Sequence, residues 1–338
     1  MELIRRRAYA RAGLVGNPSD GYHGKTVSAI VRNFRAEVTL YEWDQVEIVS
    51  SDEDHSRFRS VQDLVEDVHL HGYYGGIRLV KATIKRFVEH CAHQGKKLHG
   101  RSFSVRYESN IPRQVGLAGS SAIIVATLRC LMEFYGVDIP PEVQPSLVLS
   151  VETGELGIAA GLQDRVIQVY EGLVYMDFSP EQMVTRHGLA CGVYEPLDPT
   201  LLPPLYLAYS AERSKPTERV HNDLRARYDR GDRDVVDAMR QLATLTVLAR
   251  QAILARDHAA LGRLIDASFE VRRSICRLPA GHLEMIEQAR RTGATAGFPG
   301  SGGAIVGTYP DAAAFQRLRA ELEAIHCQVL RPQVLPAG

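Results

Sequence analysis

The sequence predicts a mixed α/β (α+β) protein built in two parts. Phe103, Val105 and Tyr107 alternate with polar residues and read as a half-buried strand. A loop of small residues follows. Then Ile124, Val125, Leu128, Leu131, Met132 and Tyr135 recur at spacings of three and four, which predicts a helix that Gly136 ends. Beyond Leu201-Leu202-Pro203-Pro204 the pattern changes to long helical stretches closed by short strands. A chain of 338 residues fits two domains, and the proline pair sets them at 1–200 and 201–338.

Composition narrows the function classes. Forty basic residues balance forty acidic ones, so bulk charge gives no argument for a nucleic-acid partner. Hydrophobic residues at 45% and charged residues at 24% match an ordinary globular chain. No apolar run approaches the roughly 20 residues that span a bilayer. Met1-Glu2-Leu3-Ile4-Arg5-Arg6-Arg7 lacks the apolar core of a secretion signal. The expectation is a cytoplasmic protein with no membrane partner. Cys91, Cys130, Cys191, Cys276 and Cys327 are scattered, odd in number and without a Cys-x-x-Cys pair, which fits reduced thiols.

The elements follow in order. Residues 8–15 are short and apolar, then break into the dense turn Gly16-Asn17-Pro18-Ser19-Asp20-Gly21-Tyr22. Asp20 and Tyr22 sit where polar groups can reach a ligand. Val38 and Leu40 mark a strand over 36–41, and 50–67 is a polar, acid-rich surface excursion. Gly75-Gly76 precedes a helix with Ile77, Val80, Ile84, Phe87, Val88 and Cys91 on one face. Nearby histidines have irregular spacing and no carboxylate or cysteine partner at ligand spacing, so they read as surface or core residues. A helix after Pro140-Pro141 carries Leu147, Val148 and Val151, and a strand covers 172–177. In the second half a strand over 205–209 leads to helices over 218–228, 232–256 and 258–276. Val236, Met239, Leu242, Leu245 and Leu248 supply a core stripe there. A glycine-rich loop at Gly297-Phe298-Pro299-Gly300-Ser301-Gly302-Gly303-Ala304 enters a strand over 304–307, and a helix over 312–325 and a strand over 328–330 close the chain.

Two stretches carry chemistry by residue type. Pro112-Arg113-Gln114-Val115-Gly116-Leu117-Ala118-Gly119-Ser120-Ser121-Ala122 lies between a strand and a helix. Its glycines let backbone N–H groups approach an anion, and the helix N-terminus adds unpaired donors. Ser120 and Ser121 can cap that helix or ligate a metal held by phosphates. The loop is neither a Walker A sequence nor a dinucleotide fingerprint. Downstream, Glu152 and Asp164 are separated by a glycine-rich connection. The pair suits one carboxylate on a hard cation and one beside a substrate hydroxyl. The plain alternative makes Glu152 a helix-surface residue and pairs Asp164 with Arg165 or Arg11.

Taken together, three ordered stretches resemble the GHMP small-molecule kinases (galacto-, homoserine, mevalonate and phosphomevalonate kinases). Arg11-x-x-Leu14-x-Gly16-x-x-x-Asp20 resembles their first motif, the loop at 112–122 their phosphate loop, and the loop at 297–304 their glycine-rich third motif. Within that family the wording is most similar to the glucuronokinases, through Ala10-Arg11-Ala12-Gly13-Leu14-Val15-Gly16-Asn17-Pro18-Ser19-Asp20 and Ala160-Gly161-Leu162-Gln163-Asp164-Arg165-Val166. Asn17-Pro18-Ser19 stands where galactokinases have Glu-His-Thr, and the phosphate loop is one residue longer than the common Gly-Leu-Gly-Ser-Ser.

The resemblance implies a GHMP kinase fold: an N-terminal ATP-binding domain of the ribosomal protein S5 domain 2-like type and a C-terminal ferredoxin-like domain. It implies ATP and Mg²⁺, and a sugar acid phosphorylated at its anomeric hydroxyl, D-glucuronate by subfamily. It implies Asp164 and Arg11 as catalytic, Ser121 and Glu152 on Mg²⁺, and Pro112, Gly116, Leu117, Ala118, Gly119, Ser120, Ser121 and Ala122 around the phosphates. Asp20, Tyr22, Arg113, Gly302 and Gly303 would face the substrate. The substrate carboxylate needs a cation, and Arg5, Arg7 and Arg113 are the candidates. The rival readings are another sugar kinase of the same family, a non-catalytic sugar-and-ATP sensor, and an RNA-binding protein, which the neutral charge disfavours.

Overall fold

The computed structural model describes residues 3–49, 75–210 and 224–336. The polar stretch at 50–67 and the first part of the helix expected over 218–228 lie outside them. The architecture starts from a long antiparallel pair, β1 (Leu3–Val15) and β2 (Lys25–Trp43). β2 is much longer than its alternating segment at 36–41, because residues 26–31 are buried on both faces and show no alternation. β3 (Glu47–Val49) runs parallel to β4 (Ser102–Ser109). β4 pairs with β2 from Ala36 to Trp43, and β5 (Leu173–Asp177) pairs with β2 from Lys25 to Ala29. Both therefore share one edge of β2, end to end, while β1 takes the other.

The gap between them, opposite residues 30–35, is filled by the C-terminal tail. Arg32 N donates to Gln333 O at 3.0 Å, Gln333 N to Asn33 Oδ1 at 2.8 Å, and Asn33 Nδ2 to Arg331 O at 3.2 Å. An open edge is thus closed by residues 331–333.

Helices cover one face. α1 (Gly76–His93) packs on α2 (Gly119–Tyr135), which lies across β1 and β2. Gly136 ends α2 with φ 61°, as its composition predicts. α3 (Gln144–Ser150) runs into a single π turn, Val151–Glu155, and α4 (Gln163–Tyr170) packs against β1. The small strands β6 (Val184–Arg186), β7 (Leu189–Cys191) and β8 (Val193–Leu197) complete the first half, β8 extending the sheet beyond β5.

The second half opens with β9 (Leu205–Ser210). α5 (Leu224–Asp229), α6 (Arg233–Leu254), α7 (His258–Ile275) and α8 (Ala280–Arg291) follow. Then come β10 (Ala304–Thr308), α9 (Ala312–Ala324) and β11 (Cys327–Leu330). β9 is central between β10 and β11, all antiparallel. Residues 295–297 add a rudimentary fourth strand beside β10: Gly297 and Val306 exchange two bonds at 2.9 Å, and Thr295 N donates to Thr308 O at 3.0 Å. In chain order this is strand, helices, strand, strand, helix, strand, the ferredoxin-like succession.

The inward face of α6 corrects the expected stripe. Val235, Ala238, Met239, Leu242, Thr246, Ala249 and Ile253 point in, and Leu248 is 44% exposed. Residues spaced strictly by three walk about 60° per step around a helix of 3.6 residues per turn, so such a stripe leaves the core. The hydrophobic core is continuous across the halves, joining β1, β2 and α2 to Leu207, Ala249, Ile253, Ile265 and Val306.

Ending the chain after Leu330 should remove the tail's hydrogen bonds to β2. At roughly 1 kcal/mol each, about 2–4 kcal/mol of stability should go. Urea unfolding with an unchanged midpoint would show that the tail is not structural.

Candidate functional site

The turn between β1 and β2 sets the first wall of the site. Gly16 takes φ 100°, and a Cβ there would meet Lys25 O and Thr246 Oγ1, so the turn tucks tightly beneath α6. Ser19 Oγ donates to Lys25 O at 2.9 Å and fixes the short 3-10 turn Ser19–Tyr22. Asp20 accepts from Gln163 N at 3.2 Å, which brings the turn to the start of α4. Tyr22 packs against Tyr228 with ring centroids 4.9 Å apart and planes tilted by 58°, and the Arg225 guanidinium lies over the Tyr22 ring.

The phosphate-type loop forms the second wall. Ile111, Val115 and Leu117 are buried, while Gly116, Ala118, Gly119 and Ser120 remain partly open. Gln114, Gly116 and Ala118 have φ of 62°, 71° and 63°. Left-handed residues interleaved with ordinary ones turn successive N–H groups to one side, the geometry of an anion nest. Ala118 is the N-cap of α2 and no side chain caps the helix, so the first-turn N–H groups are not taken by a side-chain cap. Of the two alternatives for Ser120 and Ser121, a cap or a metal ligand, the cap is not formed at this N-terminus. Ser121 Oγ instead donates to Ala118 O at 3.2 Å, and Gln168 Nε2 donates to the same carbonyl at 2.8 Å.

Between these walls lies Arg11, 4% exposed on β1. Its Nε donates to Asp164 Oδ1 at 2.6 Å, and its Nη1 to Gly116 O at 2.6 Å and Pro299 O at 2.7 Å. One planar guanidinium thus joins α4, the phosphate-type loop and the second glycine-rich loop. That loop rests on the first. A Cβ on Gly116 would stand 2.8 Å from Ser301 N, and one on Gly303 would stand 3.0 Å from Val115 Cα. Gly302 and Gly303 are buried in this contact.

Three carboxylates meet here in different electrostatic settings. Burial works to raise Asp164, but Arg11 and Arg165, 3.5 Å from its second oxygen, outweigh burial and hold it below the usual carboxylate range. Glu152, on the π turn, is buried and accepts from Arg165 Nε at 2.6 Å. It is therefore not a helix-surface residue, and burial pushes it up against the pull of Arg165. Asp20 is pushed up to about 6, first by burial and then by the Asp164 charge.

Arg5 and Arg7 do not reach the site. Both are exposed and pair with Glu37, and Arg7 lies four residues, or about 13 Å, back along β1 from Arg11. Arg113 is exposed at the start of the phosphate-type loop, beside the half-buried Pro112. Ala122 is buried in the first turn of α2. Among the described residues no cluster of three or more His, Cys, Asp or Glu is placed to hold a metal, and no helix is long and apolar enough to cross a membrane.

Sequence reasoning missed Arg165 as the clamp on Glu152, and missed Arg272. Arg272, on α7, is buried and donates from Nη1 to Asn17 Oδ1 at 3.0 Å and Gly300 O at 2.6 Å. Helix phase was the available signal: Phe269 and Arg272 share the inward side of α7 with Ile265 and Ser268.

The chain is similar to known proteins by family model, by sequence and by fold. Residues 78–172 match the family model for the GHMP kinases N terminal domain. Glucuronokinase 1 of Arabidopsis thaliana is 44% identical over 315 residues, covering 91% of this chain and 85% of that one. Lactococcus lactis galactokinase, solved with galactose, superposes with a TM-score of 0.78 at 16% identity, covering 99% of this chain and 94% of that one. Streptococcus pneumoniae phosphomevalonate kinase, in complex with phosphomevalonate and AMPPNP, superposes with a TM-score of 0.75 at 13% identity, covering 98% and 100%.

The raised Asp20 gives a pH-dependent stability of defined sign. Its folded value lies above the ordinary one, so its contribution is complete below about 3.8 and is lost as pH rises through about 6. Asp20→Asn should therefore gain thermal stability relative to wild type between pH 4 and 7.5. A melting-temperature difference that stays flat across that range would contradict the assignment.

Proposed function

The chain belongs to the GHMP kinases, and from that premise we propose that it transfers the γ-phosphoryl group of ATP to the anomeric hydroxyl of D-glucuronate. Use of ATP follows from the family. The observation that carries the finer reading is the Arg11–Asp164 pair, seated between the phosphate-type loop and the second glycine-rich loop. The 44% identity to a glucuronokinase over most of both chains supports the substrate. The proposal also divides the chain at 200/201 into an ATP-binding half and a C-terminal half.

Phosphoryl transfer asks the protein for positioning and charge stabilisation more than covalent chemistry. The nest at 114–118 and the N-terminus of α2 donate N–H groups to the phosphates, with Pro112, Gly116, Leu117, Ala118, Gly119, Ser120, Ser121 and Ala122 framing them. Asp164, held ionised, accepts the hydrogen of the anomeric hydroxyl and aims its oxygen at the phosphorus. A carboxylate this acidic orients the nucleophile more than it deprotonates it early, which suits a loose transition state. Arg11 places a fixed positive charge beside the transferring group.

Ser121 and Glu152 fit a hard cation, since both offer oxygen, and Arg165 holds Glu152 in place through one of its two oxygens. Mg²⁺ bound there would neutralise phosphate charge. Asp20 accepts hydrogen bonds from sugar hydroxyls, with Tyr22, Arg113, Gly302 and Gly303 around the substrate.

ATP consumption measured side by side with glucuronate, galacturonate, glucose and galactose tests the reading. Glucuronate should give the highest kcat/KM, and a neutral sugar in first place would replace this reading with another sugar kinase of the family. Asp164→Asn should lower kcat about 10²–10⁴-fold with ATP binding kept. Retention of more than half the rate would remove Asp164 from its role.

A further inference from the structure

Among the described residues three arginines are buried, Arg11, Arg165 and Arg272. Two are matched by acids: Arg11 by Asp164, and Arg165 by Glu152 and Asp164. Arg272 has no carboxylate partner among the described residues. Its Nη1 meets two neutral oxygens, Asn17 Oδ1 and Gly300 O, the Cys276 side chain also approaches the guanidinium, and Nε is buried without a hydrogen-bond partner. The guanidinium carbon lies 5.3 Å from the centroid of the Phe298 ring. A buried cation with no counter-charge is costly, and a buried unpaired donor adds to that cost.

The position of this cation matters. Asn17 and Asp20 stand on the same turn, and Arg272 lies within electrostatic reach of both Asp20 and Arg11. Arg272 and Asn17 line one cleft with Gly13, Gly297 and Phe298. Burial pushes Arg272 below its ordinary value, the direction expected of a site that lacks its anion. The neutral residue at 17 also matters. A carboxylate there would pair with Arg272 and repel an acidic ligand, whereas an amide orients the guanidinium and leaves its charge uncompensated.

We propose that Arg272, oriented by Asn17, is the anchor that receives the carboxylate of the sugar acid. The assignment rests on the glucuronate reading and names the residue that makes the site selective for an acid. A guanidinium takes a carboxylate through two parallel N–H donors, so a neutral sugar of the same shape lacks the bond that would satisfy this cation.

The test compares D-glucuronate with D-glucuronamide, which replaces the carboxylate by a neutral amide of similar shape. For wild type, Asn17→Asp, Arg272→Lys and Arg113→Ala, kcat/KM is measured for both sugars and KM for ATP. Asn17→Asp leaves the arginine in place and adds a negative charge beside it. It should cut the glucuronate-to-glucuronamide ratio roughly 10- to 100-fold, the worth of a charged hydrogen bond. Arg272→Lys keeps the charge without the fork and should move the ratio the same way, by less. KM for ATP should stay within about twofold in both. A merely structural role in holding the loop at Gly300 would lower both sugars alike and leave the ratio unmoved, which overturns the assignment. A fall confined to Arg113→Ala overturns it too. A wild type that prefers neutral sugars defeats the glucuronate reading itself. A wild type that prefers glucuronate, with an unmoved ratio in Asn17→Asp, defeats the Arg272 assignment alone.

Discussion

A buried guanidinium must find an opposite charge and enough acceptors, and Arg11 finds both only by gathering distant stretches of chain. Asp164 supplies the charge, and the carbonyls of Gly116 and Pro299 supply the acceptors. The partners come from helix α4 and from two loops separated by most of the sequence. Breaking such a pair from one side leaves an uncompensated charge, at about 3–5 kcal/mol. The relative placement of the loops is therefore tied to the same contact that is proposed to carry the chemistry.

The contact extends into a row of alternating charge, Arg11, Asp164, Arg165 and Glu152. Two arginines hold Asp164 down, while Glu152 has one and burial prevails. Similar groups are thus separated by environment, Asp164 held below the usual carboxylate range and Glu152 pushed above it. The long β1–β2 pair makes this possible. It carries Arg11 and the Asp20 turn on one hairpin, and its length lets β4 and β5 pair in succession, so that the loop after β4 and the helix before β5 converge on it.

Much of this was legible beforehand. The strand, small-residue loop and helix over 102–135 follow from alternation, then helical spacing, then a glycine stop. The stretches that converge on Arg11 were legible as motifs, because glycines at close approaches leave a written trace. Other features left none. β2 hides its first half, since burial on both faces erases alternation. The strand at 295–297 is three residues long and contains glycine, so it reads as loop. Arg272 and Arg273 are indistinguishable as letters, and helix phase alone sends the first into the cleft and leaves the second outside. Pairings such as Arg165 with Glu152 depend on how the π turn folds back on α4.

Arg11 and Asp164, in the function proposed here, act as one unit. A double-mutant cycle on kcat/KM, using Arg11→Lys, Asp164→Asn and both together, tests this directly. Strong non-additivity is expected: the double variant should be scarcely worse than the worse single one, with a coupling of about 1–3 kcal/mol. Losses that simply add would show that the two residues work independently and that they form no catalytic unit.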